Sequence, residues 1–438
     1  MTIKKSLDLQ EKAKQIIPGF TQLLSKRPDQ FTAGVWPGYF KKAEGAYVWD
    51  LDDNKYLDMS ISGIGANILG YADPDVNAAV INAIQNGSSC SLNSYEEVEL
   101  AEKLCELHPW ADRARFTRCG GESMVVATRI ARAHTGRSVI AFCGYHGWHD
   151  WYLAANLESS DTLNDHLLTG LDPVGVPKEL AGTSIPFSFN NPEELEAISK
   201  KYGDRLAAIV MEPIRNDKPT AAFKAAINKV KETTGCVVII DEISAGFRLT
   251  PGGAHKLLGY DPDIAVFSKA LGNGHPIGAI IGKNHVMDAA KECFISSTYW
   301  TERVGFVAAL ATIKKYVENN VHEHLISIGS SVKKGWQDAA DKVGLEISLS
   351  GIDPMAHFAF KHEKNLHIKA YFIQLMIEKK ILSSNLFYAM FAHKTEHVRE
   401  YLEAVNWAFS EIKAALDAGN LESKLIGKPA NTGFLRLN

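Results

Sequence analysis

Cys236-Val237-Val238-Ile239-Ile240-Asp241-Glu242 decides the fold: an unbroken apolar, β-branched-rich run that ends abruptly in two carboxylates. Continuous apolarity without alternation marks a strand covered on both faces, and its length suits a strand better than a helix. Outward from it, similar runs recur: RARFTR (113–118), SVIAFC (138–143), LAAIVMEP (206–213), IAVFSK (264–269) and GAIIGK (278–283). Amphipathic helical patterns such as MVVATRIARAHTG (124–136) separate them. Strands alternating with helices predict an α/β fold, a mostly parallel sheet sandwiched by helices. Before this stretch, AYVWDLDDNKYLDM (46–59) carries strand residues around an Asp-Asp-Asn turn. After it, GFVAALATIKKYVENNVHEHLISIG (305–329) and HVREYLEAVNWAFSEIKAALDAG (397–419) read as long helices. The expected organisation is a large domain at 61–305 and a smaller α+β domain assembled from 1–60 and 306–438.

The chain has 438 residues, 46% of them apolar and 22% charged, which excludes a disordered or fibrous protein. Its net charge of −4, without a Lys/Arg tract, argues against nucleic acid or an anionic membrane as partner. The six cysteines (Cys90, Cys105, Cys119, Cys143, Cys236, Cys293) form no CxxC pair and read as reduced thiols. MTIKKSLDLQEKAK at the N-terminus lacks the apolar core of a signal peptide, and no apolar run is long enough for a bilayer. A cytoplasmic protein is expected. None of the fifteen histidines has HExxH spacing, so no metal is expected.

In open parallel sheets, ligands bind beyond the carboxyl ends of the strands. The residues there are Cys119-Gly120-Gly121, Gly144-Tyr145-His146-Gly147, Glu212-Pro213, Asp241-Glu242 and Ser268-Lys269. Gly120-Gly121 opens a helix, where exposed amides favour an anion. Tyr145 offers a ring for stacking on a planar group. A strand-end aspartate can hold a protonated pyridine nitrogen, and a desolvated lysine can become a nucleophilic amine. Each feature alone has a plainer reading: a turn glycine, a core aromatic, a helix cap, a surface lysine. In this order on one sheet they match the needs of pyridoxal 5'-phosphate (PLP). Asp241-Glu242 could also end a Walker B strand in a nucleotide-binding module, but the chain has no GxxxxGK[ST].

The sequence resembles the class III aminotransferases of PLP fold type I, and within them the glutamate-1-semialdehyde aminomutase branch. The likeness runs from Gly45-Ala46-Tyr47 to His393 and is densest at Tyr145-His146-Gly147, Glu212-Pro213, Asp241-Glu242-Ile243-Ser244-Ala245-Gly246-Phe247-Arg248 and Ser268-Lys269-Ala270-Leu271-Gly272. The resemblance implies that Lys269 joins the cofactor as a Schiff base and shuttles the proton, while Asp241 pairs with the pyridine nitrogen. Ile243 would lie under the ring and Tyr145 over it, with His146 alongside and Glu212 also at the cofactor. Lys269, Asp241 and Tyr145 would then carry the catalysis. Gly120 and Gly121 would bind the phosphate, and Thr298 would reach the phosphate of a neighbouring subunit, which implies a homodimer with shared active sites.

Three positions depart from the branch pattern. Cys119-Gly120-Gly121 stands where Ser-Gly-Thr is usual, Asn385 where the mutases keep a glutamate, and Lys26-Arg27 is the only candidate for their carboxylate-binding arginine. Arg27, Asn385 and Trp300 are therefore the expected substrate residues. Together these favour an aminotransferase that takes its amino group from an amino acid, glutamate by family default, and gives it to an aldehyde or ketone. The Tyr299-Trp300-Thr301-Glu302-Arg303 stretch and Trp148-His149 suit a polar, carbohydrate-derived acceptor. The alternative is intramolecular amino transfer of the glutamate-1-semialdehyde 2,1-aminomutase type.

Overall fold

A computed structural model describes residues 2–159, 162–164, 170–214 and 216–429. The chain divides into two compact units, Pro74–His322 and Met1–Asp73 together with Glu323–Asn438. Pro74–His322 contains a seven-stranded sheet of β1 (Arg113–Thr117), β2 (Val139–Cys143), β3 (Ser184–Pro186), β4 (Leu206–Met211), β5 (Val237–Asp241), β6 (Ile264–Phe267) and β7 (Gly278–Gly282), in the order β1-β7-β6-β5-β4-β2-β3. The pairs from β6 to β3 are parallel, whereas β7 runs antiparallel to both β6 and β1. The carboxyl ends of β1, β2, β4, β5 and β6 therefore share one edge, and the loops that follow them share one side of the sheet.

Period-two geometry explains why the decisive stretch is apolar throughout. Val237 and Ile239 join Phe142, Val210, Val266 and Ile280 on one face, where helix α1 (Gly120–Thr135) packs Met124, Ala127, Ile130 and Ala131. Val238 and Ile240 join Ala141, Ile209 and Met211 on the other, beneath α2 (Pro192–Tyr202) and α3 (Ala221–Thr234), which supply Leu195, Ile198, Phe223 and Val230. Each buried aliphatic side chain contributes about 1.5–3 kcal/mol through removal from water.

The helix ends are set locally. Asn191 Oδ1 accepts the Glu194 N–H at 3.2 Å and Thr220 Oγ1 the Phe223 N–H at 3.2 Å, while α3 stops at Gly235 in the left-handed region, φ +70°. The strand with no apolar run behind it is β3, a three-residue edge strand ending in Pro186, where a missing N–H does no harm.

The unit formed by both chain ends holds a four-stranded sheet, in which Phe40–Glu44, Tyr47–Asp50 and Lys55–Met59 are antiparallel and Ile381–Ser383 pairs parallel with Lys55–Met59. A three-stranded antiparallel sheet (Ile347–Ser350, Met355–Phe360, Leu386–Tyr388) and the helices Asn365–Glu378 and Thr395–Asp417 complete it.

The division at 73/74 and 322/323 differs from the boundaries read in the sequence, 60/61 and 305/306. Two sets of contacts account for it. The Tyr71 hydroxyl donates to Asp58 at 2.6 Å and Tyr71 bridges Gly45, tying 61–73 to the unit formed by both chain ends. Helix α4 (Arg303–Glu318) is held in the other by Arg303 on Glu96 and by the Tyr316 hydroxyl on the Phe247 carbonyl at 2.6 Å. No helix of the described residues is long and apolar enough to cross a membrane.

Candidate active site

Asp241 ends β5 and is buried, 3% exposed. Its Oδ1 accepts the Ile243 N–H at 2.9 Å, and its Oδ2 lies 2.7 Å from Nδ1 of buried His146. The other ring nitrogen of His146 faces the Cys143 carbonyl at 3.0 Å, so both nitrogens of the ring face acceptors. His146, in the loop after β2, thus orients the carboxylate at the end of β5. A charge-assisted hydrogen bond of this kind contributes about 1.5–3 kcal/mol.

Lys269 begins the turn after β6 with φ +45°, a conformation that a residue with a Cβ adopts only under constraint. The turn is tied by the Ser268 hydroxyl, which donates to the Ile277 carbonyl at 2.9 Å. From it the half-buried Lys269 side chain reaches the loop after β5, and Nζ donates to Ser244 Oγ at 2.7 Å. The amine and the Asp241 carboxylate are therefore anchored to the same short stretch, Asp241-Glu242-Ile243-Ser244.

The glycine turn joins them by close approach. A Cβ on Gly120 would stand 2.8 Å from Ile243 Cδ1, and one on Gly121 2.8 Å from Cε1 of His149. Cys119 caps α1 while Glu122 Oε2 accepts the N–H groups of Arg118 at 3.0 Å and Cys119 at 3.2 Å; the Gly120 amide lies at the helix start and the Gly121 amide faces the Cys119 sulfur. The Tyr145 N–H donates to Oε2 of buried Glu212 at 3.3 Å, so Glu212 holds the loop that carries the tyrosine. Gly144 needs its φ of +110° here, since a Cβ would come within 2.5 Å of the same carboxylate.

A cavity of about 430 Å³ opens beside Gly144 and Glu212, with Phe187, Ser188 and Asp217 on its walls. Another, of about 400 Å³, lies at the opposite end of β5 by Val237, Lys231 and His134, away from the strand-end residues.

Gly120, Gly121, Tyr145, His146, Glu212, Asp241, Ile243 and Lys269 are thus brought together in one unit. Thr298 is exposed in the same unit, in a 3₁₀ turn (Thr298–Thr301); Arg118 holds the Tyr299 carbonyl within the turn and the Glu302 carbonyl just after it. Trp300 packs against the α1 face of the core, and its buried Nε1 has no partner among the described residues.

Arg27 and Asn385 belong to the other unit. Arg27 is 5% exposed and its guanidinium is paired with Asp29 (Nε to Oδ1 3.0 Å), so a substrate carboxylate would meet a charge already engaged. Asn385 Nδ2 lies 2.7 Å from His357 Nε2 and donates to the Phe358 carbonyl at 3.1 Å, while its Oδ1 is buried without a hydrogen bond among the described residues. Ser244 was not singled out from the sequence as a site residue. Its place three residues after Asp241, in the loop where a strand-end lysine must land, was the available signal.

The set fits PLP: a carboxylate for the ring nitrogen, an amine for the aldehyde, Ile243 beside the glycine turn for the ring, and two helix-start amides for the phosphate. Comparison with known proteins agrees. Residues 33–376 match the aminotransferase class-III family. The 3-aminobutyryl-CoA aminotransferase of Cloacimonas acidaminovorans is 30% identical over 429 residues, 95% of this chain and 99% of that protein. The glutamate-1-semialdehyde 2,1-aminomutase of Syntrophobacter fumaroxidans is 30% identical over 436 residues, covering 94% and 99%. Among solved structures, the PLP internal aldimine form of the Sphingopyxis sp. MTA144 FumI protein superposes with a TM-score of 0.87 at 25% identity, over 98% of this chain and 99% of that one. A family match across most of its length, relatives spanning nearly all of both chains and a fold shared with a PLP-bound structure place this chain among the class III aminotransferases, PLP-dependent enzymes of fold type I.

Proposed function

We propose that this enzyme moves an amino group from an amino-acid donor, glutamate, to a separate aldehyde or ketone acceptor. PLP, when bound, supplies the electron sink that lets a proton leave one carbon and rejoin another. Lys269 Nζ holds the cofactor and carries that proton, with Ser244 Oγ as its resting partner at 2.7 Å. Asp241, oriented by His146 and the Ile243 amide, holds the proton of the ring nitrogen. Gly120 and Gly121 bind the phosphate through their amides, Ile243 and Tyr145 enclose the ring, and Thr298 serves the neighbouring site of a homodimer.

The observation that carries intermolecular transfer over mutase chemistry is Asn385. Its amide N–H groups are spent on His357 and the Phe358 carbonyl, and an amide exchanges no proton at neutral pH. Holoenzyme incubated with glutamate and a panel of carbonyl compounds is expected to release one 2-oxoglutarate per amine formed. Steady formation of an isomerised amine with no glutamate consumed would show the aminomutase reaction instead.

A further inference from the structure

We propose that the hydrogen-bonded chain Trp110–His255–Glu242 is a positioning device for the reaction, with His255 as its working member: through Glu242 it fixes residues 241–244, whose two ends carry Asp241 and Ser244. The inference rests on the roles proposed above for those two residues toward the ring nitrogen and Lys269.

Glu242 directly follows Asp241 at the end of β5, where period-two geometry turns the two side chains apart. Asp241 meets His146, whereas Glu242 meets His255, and all four are buried. The main chain of Glu242 is tied to its surroundings: its N–H donates to the Val266 carbonyl on β6 at 2.8 Å, and its carbonyl accepts the Gly246 N–H at 2.7 Å. Its side chain is held through one oxygen. Oε1 accepts the His255 main-chain N–H at 2.7 Å and lies 2.7 Å from His255 Nδ1, while Oε2 is buried without a hydrogen bond among the described residues. Every hydrogen bond to this side chain among the described residues therefore comes from His255.

Trp110 decides which nitrogen of His255 carries the proton. It lies between the helix Glu96–Leu107 and β1, and its Nε1 stands 3.0 Å from His255 Nε2. An indole N–H can only donate, so Nε2 accepts and the ring proton stands on Nδ1, aimed at Glu242 Oε1. His108 covers the other side: its ring lies 5.6 Å from that of His255 with planes 20° apart, and its Nε2 accepts the Gly253 N–H at 2.9 Å. A Cβ on Gly253 would stand 2.2 Å from His255 Nδ1 and 2.9 Å from Glu242 Oε1, so glycine is what leaves room for the pair. The hold ends one residue from the Asp241 carboxylate and two from the hydroxyl that partners Lys269. Groups that act on a cofactor must be kept within about 0.5 Å of their productive places by locked neighbours, and His255 locks this segment from the side facing away from the site. Without its ring donor both ends loosen together, and Asp241 holds the proton of the ring nitrogen less firmly.

The test uses the full-length enzyme loaded with PLP carrying ¹⁵N at the ring nitrogen, with NMR of that nitrogen read beside steady-state kinetics. His255→Leu removes the ring donor and leaves the main-chain N–H. It is expected to lower kcat about tenfold, to keep KM for glutamate within about twofold, and to move the ¹⁵N resonance toward that of Asp241→Asn, where the partner carboxylate is gone. His255→Asn, whose amide N–H can stand where Nδ1–H stood, is expected to recover part of both changes. Should the leucine protein not fold, Trp110→Phe takes its place: it keeps an aromatic ring, deletes the donor to Nε2, and is expected to shift both readouts the same way, by about two- to fivefold in kcat. A folded variant with the wild-type ¹⁵N resonance and kcat, even one with a lower unfolding midpoint, overturns the proposal, and so does an asparagine variant no better than leucine. An unmoved ¹⁵N resonance in Asp241→Asn would refute the role of Asp241 itself, a distinct result.

Discussion

At the scale of single residues, the role proposed for Lys269 joins a covalent bond to the cofactor with a hydrogen bond to Ser244. If Lys269 has the proposed role, Lys269→Ala removes both the cofactor anchor and the proton carrier, and turnover is expected to fall by more than about 10³-fold. The near-visible absorbance of the bound cofactor should disappear with it; a variant keeping both colour and rate would contradict the role. Ser244→Ala leaves Lys269 in place but deletes the acceptor 2.7 Å from Nζ. A net hydrogen bond to a charged group is worth about 1.5–3 kcal/mol, so a loss of about 10- to 100-fold in kcat is expected. Unaltered cofactor content would separate this positioning effect from cofactor loss.

At the scale of elements, the site is a set of strand-to-loop junctions, and its tolerances are those of backbone packing. Gly120→Ala puts a methyl 2.8 Å from Ile243 Cδ1, closer than carbon atoms rest. Ile243 must shift away, and PLP affinity is expected to drop about tenfold while the unfolding midpoint changes little; the two measurements together check the assignment of this contact. Away from the site, Thr220→Ala uncaps α3 and should cost about 1 kcal/mol by denaturant unfolding. The same scale explains which elements the sequence reveals. Each of the six apolar runs is a strand because both faces of the sheet are covered. Edge strand β3 has only one neighbour, and its three residues carry no run long enough to notice.

At the scale of the whole molecule, each unit buries a neutral histidine. His108 Nδ1 donates to the Leu104 carbonyl at 2.7 Å while Nε2 accepts the Gly253 N–H at 2.9 Å. His393 Nε2 donates to the Asp58 carbonyl at 2.8 Å while Nδ1 accepts the Met390 N–H at 2.9 Å. Burial pushes His108 down to about 3 and His393 down to about 4. An unfolded chain binds these protons near 6.5, so unfolding takes up protons below that pH. Stability is fully present above about 6.5 and is expected to fall as pH drops toward about 4. Unfolding midpoints at pH 7 and pH 5 should differ more in the wild type than in His393→Gln; equal differences would remove His393 from the account.

The chain's own order of residues was enough for the α/β class, the strand-end positions and the cofactor chemistry, because period-two burial and strand-terminal polar residues are local patterns. Asp241, Lys269, Tyr145 and Gly120 could each be named from what precedes and follows them. What pairs with what was not local. His146 on Asp241, Ser244 on Lys269, Ile243 on Gly120 and His149 on Gly121 join loops after different strands, set side by side only because β1, β2, β5 and β6 end on one edge of the sheet. The pairing of Arg27 with Asp29 and the spending of Asn385 on His357 were equally invisible, since nothing in a residue's type says whether its hydrogen bonds are already used. Contacts between residues distant in sequence are selected by packing in three dimensions, and there the tertiary structure alone decides.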